Sequence, residues 1–310
     1  MRSIGQAVAS VAITLTLANA ATAQTKISIG CTATTDCASA FVARDLGLFA
    51  KRGIEAEMVL VGINPNIPPA LMSNSLQIGG PTAPVFLQAA DGGLDLVAIA
   101  GASVTDQRTA TAVAIVARTG VDIKTAKDLT GKKVGVPGIG AFLHVLLRQY
   151  LTQQGVDHKS VNFVEVTFPT MSDVLKAGSV DAVLTGEPFM SRIVANGTGT
   201  IAIPYLKDIP DAKPVIFYAT TRAWAEANAK TVAAFREAVA EAAQIVNETP
   251  DKARPGLAAF TKLPPAVVAT MQFSKSDPKL TTDGLQWWLD MMQKQDMLQS
   301  KVDAGKLLLK

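Results

Sequence analysis

Apolar positions along this chain follow two periods, and the periods alternate. Short apolar, β-branched runs read as strands. Each is followed by a polar or glycine-containing loop and then by an apolar stripe at helical spacing. Residues 128–151, DLTGKKVGVPGIGAFLHVLLRQYL, show the unit most completely. Residues 133–136 predict a buried strand, which Pro137-Gly138-Ile139-Gly140 cannot continue. From Phe142 the period changes. Phe142, Leu143, Leu146, Leu147, Tyr150 and Leu151 share one helical face, while His144, Arg148 and Gln149 point elsewhere, His144 and Arg148 being expected in solvent. A helix beginning there directs unpaired N–H groups and its positive dipole end into the loop, which favours an acceptor or an anion.

The same pattern recurs. Strands are predicted at 26–30, 54–61, 76–79, 96–100, 113–117, 162–167, 180–184, 201–203 and 215–219. Helices are predicted at 37–51, after Pro84 to about 91, at 170–177, near Phe189, and through the tail at 230–247, 251–260, 265–271 and 282–298. Asp36 is placed to cap the first helix, and Thr170-Met171-Ser172-Asp173 resembles a capping box. Repeated strand–helix alternation predicts an α/β fold with mostly parallel sheets. The polar, aperiodic stretch 104–111 separates two such series. The tail, read as helical only, packs on an existing lobe. The chain then crosses near 104–112 and again near 214–221, giving two lobes, a hinge and a cleft. Lobe 1 is expected to hold 24–105 and 218–310, and lobe 2 to hold 106–217. Ligands of open parallel sheets sit beyond the carboxyl ends of the strands. Four loops lie there, at 31–36, 80–84, 137–142 and 185–188, two from each lobe.

Composition changes the picture in three ways. Arg2, the apolar run 8–17 and Ala21-Thr22-Ala23 read as a signal peptide cleaved before Gln24. The rival, an uncleaved anchor, has a short run broken by Ser10, Thr14 and Thr16. A periplasmic location follows, and the absence of Cys just after the cleavage site argues against a lipid anchor. The whole chain carries a net charge of +3 over 310 residues and no basic tract with interleaved aromatics, so nucleic acid is not indicated. The only cysteines, Cys31 and Cys37, form either a disulfide, which export permits, or two buried thiols.

Four stretches carry a family resemblance: FVARDLGLFAKRGIEAEMV at 41–59, SLQIGGPTAPVFLQAADGGLDLVAIAG at 75–101, the 128–151 unit, and AGSVDAVLTGEP at 177–188. Together they resemble the periplasmic solute-binding proteins of ABC importers, in the branch for nitrate, sulfonates, taurine and thiamine precursors. The resemblance implies the two-lobed (type II) periplasmic-binding-protein clamshell, capture of a small-molecule solute, ABC permease and ATPase subunits as partners, contact with the membrane only through the permease, a monomer, and no cofactor, metal or catalytic residue. It points to Thr32, Thr34 and Thr35, to Thr82 and Ala83, to Ser103, to Gly140, Ala141 and Phe142, and to Glu187. Many relatives carry Ser or Thr where this chain has Gly138-Ile139-Gly140-Ala141. Backbone N–H groups and the apolar Ile139 and Phe142 replace those hydroxyls. This favours an organic carboxylate or sulfonate with an apolar or aromatic part over a small inorganic anion. A thiamine-type pyrimidine, with Glu187 as acceptor, is the alternative.

Each residue also has a plainer reading. The 137–142 loop is equally a tight turn, and the threonines equally solvate theirs. Glu187 could cap its own helix or pair across the hinge. Arg108 could meet an acidic ligand or lie on the surface. His158 is expected exposed, and Trp287 and Trp288 in core packing. Enzyme readings are weak. Gly135-x-x-Gly138-x-Gly140 is not a dinucleotide fingerprint, the Walker lysine motif is absent, and the two histidines are scattered. A fungal thiamine-pyrimidine synthase shares the general fold, but its cysteine-rich motif is missing. A periplasmic enzyme on the same scaffold stays open as the reading from another class.

Overall fold

A computed structural model describes residues 24–309. The expected signal peptide at 1–23 lies outside the described residues. Eleven strands are present among them: β1 Thr25–Cys31, β2 Ile54–Leu60, β3 Ile78–Gly79, β4 Leu96–Val104, β5 Val113–Arg118, β6 Lys133–Val136, β7 Asn162–Glu165, β8 Ala182–Gly186, β9 Gly199–Ile203, β10 Pro214–Thr221 and β11 Lys275–Ser276. The helices are α1 Ala38–Asp45, α2 Ile67–Met72, α3 Ala83–Asp91, α4 Phe142–Gln153, α5 Met171–Lys176, α6 Phe189–Ala195, α7 Arg222–Ala227, α8 Ala229–Glu248, α9 Arg254–Thr261, α10 Pro265–Ala269 and α11 Thr282–Gln293.

They build two lobes. The large sheet has the order β11-β4-β10-β3-β1-β2 and the small sheet β7-β6-β8-β5-β9. In each, one strand (β1 or β6) runs parallel to both of its neighbours. In each, the strand beside a crossing (β10 or β5) runs antiparallel to its neighbours. Every residue of β4, LVAIAGASV, and of β8, AVLTG, is buried. Covering both faces of a sheet removes the need for alternation, hence these unbroken apolar runs. The edge strand β2, IEAEMVL, does alternate, and its Glu55 side chain keeps 56% of its exposure.

The two crossings lie side by side and bond to each other. Thr105 N–H donates to Lys213 O at 2.8 Å and Ala212 N–H to Thr105 O at 2.9 Å. Gln107 N–H donates to Asp211 Oδ1 at 2.7 Å. β10 begins at Pro214 in the large sheet, so a return at 217 would cut that strand.

Sequence reading differs from the structure at several places. The tail is not purely helical, because β11 pairs antiparallel with β4. Gly101 makes room for that segment: its N–H donates to Pro278 O at 2.9 Å, and a Cβ there would stand 2.2 Å from Asp277 O. The first helix ends at Asp45 because Gly47 takes φ 69°, and only a 3₁₀ turn follows at Ala50–Arg52. Its N-cap is Cys37, not Asp36. Thr170 is already in the helical region, and its hydroxyl donates to Thr167 O rather than capping α5. His144 is buried, at 4% exposure, because α4 packs on both sides and its imidazole stands edge-on to Phe163, 4.5 Å between centroids. Arg148 is not free in solvent either; it donates to Gln295 O at 2.8 Å. The tail thus touches both lobes. Trp288 of α11 is fully buried as expected and packs edge-on to Phe142 of α4, 5.6 Å between centroids.

Candidate functional site

The strand ends converge on a cavity of about 160 Å³ between the lobes. It sits beyond the carboxyl ends of β1, β3, β6 and β8, where parallel sheets place ligands. Of the residues singled out by sequence, Thr32, Thr34, Thr35, Thr82, Ala141, Phe142 and Glu187 line it. Ala83, Ser103, Arg108, Gly138, Ile139 and Gly140 do not.

The loop after β1 is closed at its base by a disulfide, Cys31–Cys37. Within it the Thr34 hydroxyl donates to Asp36 Oδ2 at 2.8 Å, and Ser103 from β4 donates to Asp36 Oδ1 at 2.8 Å. Ser103 therefore orients Asp36 from behind instead of facing the cavity. Thr35 shares a 3.0 Å hydrogen bond with Ser274 of the tail. Replacing both cysteines by serine is expected to lower stability by about 2 kcal/mol, the chain-entropy value for so short a loop. Urea unfolding with and without reductant checks this: only the wild-type chain should respond to reduction.

Thr82 is the N-cap of α3, yet its side chain caps nothing. Pro84 occupies the second helical position and has no N–H to offer. The Thr82 backbone N–H is held by Asn64 Oδ1 at 2.8 Å, while Asn64 Nδ2 donates to Gly80 O at 3.1 Å. The Thr82 hydroxyl is left buried with no partner among the described residues. Native proteins rarely leave a buried hydroxyl so, and each exception calls for a reason.

The 137–142 loop behaves differently from the expected anion nest. Ile139 N–H donates to Glu165 at 2.9 Å, Gly140 N–H to His144 Nδ1 at 2.9 Å, and Ala141 N–H to Gly138 O at 3.2 Å. Three loop donors are thus consumed inside the protein. Gly140 O accepts from Gln88 of α3 at 2.8 Å, so the peptide is clamped from both lobes. With φ 79° at Gly140 and 151° at Gly138, glycine is needed at both. Ile139 points away and is 48% exposed. Phe142 alone supplies the expected apolar contact from this loop.

Glu187 faces the cavity and also serves its own helix. Its Oε1 accepts from Ser191 Oγ at 2.8 Å and its Oε2 from Ser191 N–H at 3.3 Å. Arg108 lies outside, its side chain 79% exposed, and forks onto Asp106 with Nε 2.9 Å from either carboxylate oxygen. That guanidinium holds the Asp106 carboxyl below its ordinary value. Asp106 itself lines the cavity.

Sequence reading missed several lining residues. Phe168 and Phe189, stacked with centroids 5.6 Å apart, form an apolar wall on the small lobe. Asn64 lines the large-lobe side. Phe168 follows β7 and Asn64 follows β2, so the strand-end rule could have found both. Gln272 and Ser274 arrive from the tail, with no local signal in the sequence.

A profile of the NMT1-like family matches residues 20–260. The chain belongs to the NMT1-like family. A Haemophilus influenzae protein named for thiamine biosynthesis is 30% identical over 150 residues, 48% of this chain. That match spans only 45% of the Haemophilus protein. Among solved structures, the alkanesulfonate-binding protein of Xanthomonas axonopodis pv. citri, bound to MOPS, superposes with a TM-score of 0.76 at 21% identity, covering 92% of this chain and 98% of that one. The nitrate-binding protein of Synechocystis PCC 6803 gives 0.75 at 18% identity, covering 92% and 86%. The aliphatic sulphonate-binding protein of Escherichia coli gives 0.71 at 22%, covering 91% and 96%. This member of the NMT1-like family therefore has the periplasmic-binding-protein fold, two lobes around a cleft. These solved neighbours are binding proteins.

Proposed function

We propose that this NMT1-like chain is the solute-binding component of an ABC importer. It works in the periplasm after signal-peptide removal and delivers its solute to permease and ATPase subunits. The lobes, 24–105 with 214–310 and 106–213, close about the paired linkers. The solute is small and organic, with an apolar or aromatic part against Phe142, Phe168 and Phe189. An engineered apolar cavity of about 150 Å³ holds benzene, so a space of this size suits a single ring. The observation that carries the reading is the Thr82 hydroxyl, buried on the cavity wall without a partner. A ligand atom supplies that partner. A heterocycle such as a thiamine-type pyrimidine is the second reading, favoured by the acceptor oxygens of Glu187 in the lining.

Thermal denaturation of residues 24–310 across a panel of small organic solutes tests this. A solute at about a hundred times its Kd stabilises by about 2.7 kcal/mol. Thr82→Val is expected to weaken binding of that solute by about 1–3 kcal/mol, about fivefold to 150-fold. The unliganded variant should be as stable as wild type or more so, since an unsatisfied hydroxyl has been removed. Equal affinity in both proteins would sink the reading.

A further inference from the structure

We infer that the solute carries a cationic donor group, a protonated amine or an amidine, held between Asp36 of the large lobe and Glu187 of the small lobe. This deepens the solute-binding reading and rests on it. Among the described residues, three that carry carboxyl groups line the cavity, Asp36, Asp106 and Glu187, and no Lys, Arg or His does. Asp106 is matched by Arg108. The other two receive hydrogen bonds only from uncharged donors: Thr34 and Ser103 at Asp36, Ser191 at Glu187. Among the described residues neither has a cationic side chain within 4.0 Å. Arg192 lines the outer groove that continues past Glu187, not the cavity itself.

Several groups that could hold an anion are committed elsewhere. The N–H groups of Ile139, Gly140 and Ala141 are bonded inside the protein, Pro84 removes a donor from the start of α3, and Arg108 is committed to Asp106. An anionic head would meet two carboxyl groups with no cation to offset them, a like-charge juxtaposition that binding sites use for rejection. A cationic head meets acceptors from both lobes, so its binding favours the closed arrangement. Thr82, whose hydroxyl has no partner among the described residues, belongs to the same wall and offers a further polar contact to such a head group.

The test is calorimetric titration of residues 24–310 with benzylamine and benzamidine against benzoate and benzenesulfonate, each to millimolar concentration. The two cations should bind and the two acids should not. Asp36→Asn and Glu187→Gln should each weaken cation binding by about tenfold or more, with unliganded melting little changed. The two variants lie on different lobes, so misfolding of one leaves the other decisive. Acids binding more tightly than amines, or cation affinity unchanged in both variants, would overturn the inference while leaving the solute reading intact. If none of the four binds, the cavity does not select a single-ring cation and the inference falls. The solute reading is then judged separately by Thr82→Val.

Discussion

Trp288→Ala is expected to lower the unfolding free energy by about 3–5 kcal/mol, the range for truncating a fully buried tryptophan. Trp288 sits where the tail, the large sheet and the small lobe meet. Its ring is fully buried, edge-on to Phe142 at 5.6 Å and to Trp287 at 4.8 Å. Its Nε1–H donates to Pro214 O at 2.7 Å, at the start of β10 where the second crossing ends. Truncation leaves a cavity and strips that carbonyl of its donor. Phe142 loses its backing and with it a defined position on the cavity wall. Solute affinity should therefore fall together with stability. Trp287→Ala, at a partly buried neighbour, should cost far less. Urea unfolding followed by far-ultraviolet circular dichroism compares the two variants. A loss of under about 1 kcal/mol for Trp288→Ala would contradict the packing described.

The second large effect is an acid sensitivity centred on His144. Burial, reinforced by the positive charges of Arg148 and His158, pushes its imidazole down from 6.5 to about 3. The ring accepts the Gly140 N–H through Nδ1, so it is neutral in the folded chain. The unfolded chain takes up the proton near pH 6.5. The contribution is therefore complete above pH 6.5 and is lost as pH falls toward 3, by about 1.4 kcal/mol per pH unit. His144→Gln keeps an acceptor and removes the titration. The pH dependence of the wild-type chain between 6.5 and 4 should exceed that of the variant by about 3 kcal/mol. Asp91, Asp106 and Asp128 are held below their ordinary value of 3.8, so their losses come at lower pH and leave this window to histidine. His158, shifted in the same direction but less buried, adds a smaller slope in both proteins. Equal slopes in the two proteins would show that His144 titrates as if exposed.

Where the sequence was legible, local chemistry and global position agreed. The four strand-to-helix loops could be read because the apolar period switches at each, and a parallel sheet fixes where such loops gather. Thr82, Ala141, Phe142 and Glu187, to which the family resemblance points, lie in those loops and line the cavity. The failures share a cause: one chain segment cannot report what a distant segment does to it. His144 looks polar on its helix and is buried by what packs against that helix, Phe163 included. Ile139 looks like a ligand contact and is turned outward by the bond from its N–H to Glu165. β11 is two residues long, below any periodic signal, and exists because β4 offers an edge. The donors of the 137–142 loop looked free, but their partners are fixed only by packing.

The most direct measurement is native mass spectrometry of residues 24–310 after incubation with an extract of small metabolites, beside Thr82→Val treated identically. The wild-type chain is expected to hold one small molecule of single-ring size, released on denaturation, and Thr82→Val to hold markedly less of it. An adduct retained equally by both proteins, or none on either, would contradict a solute site completed at the Thr82 hydroxyl.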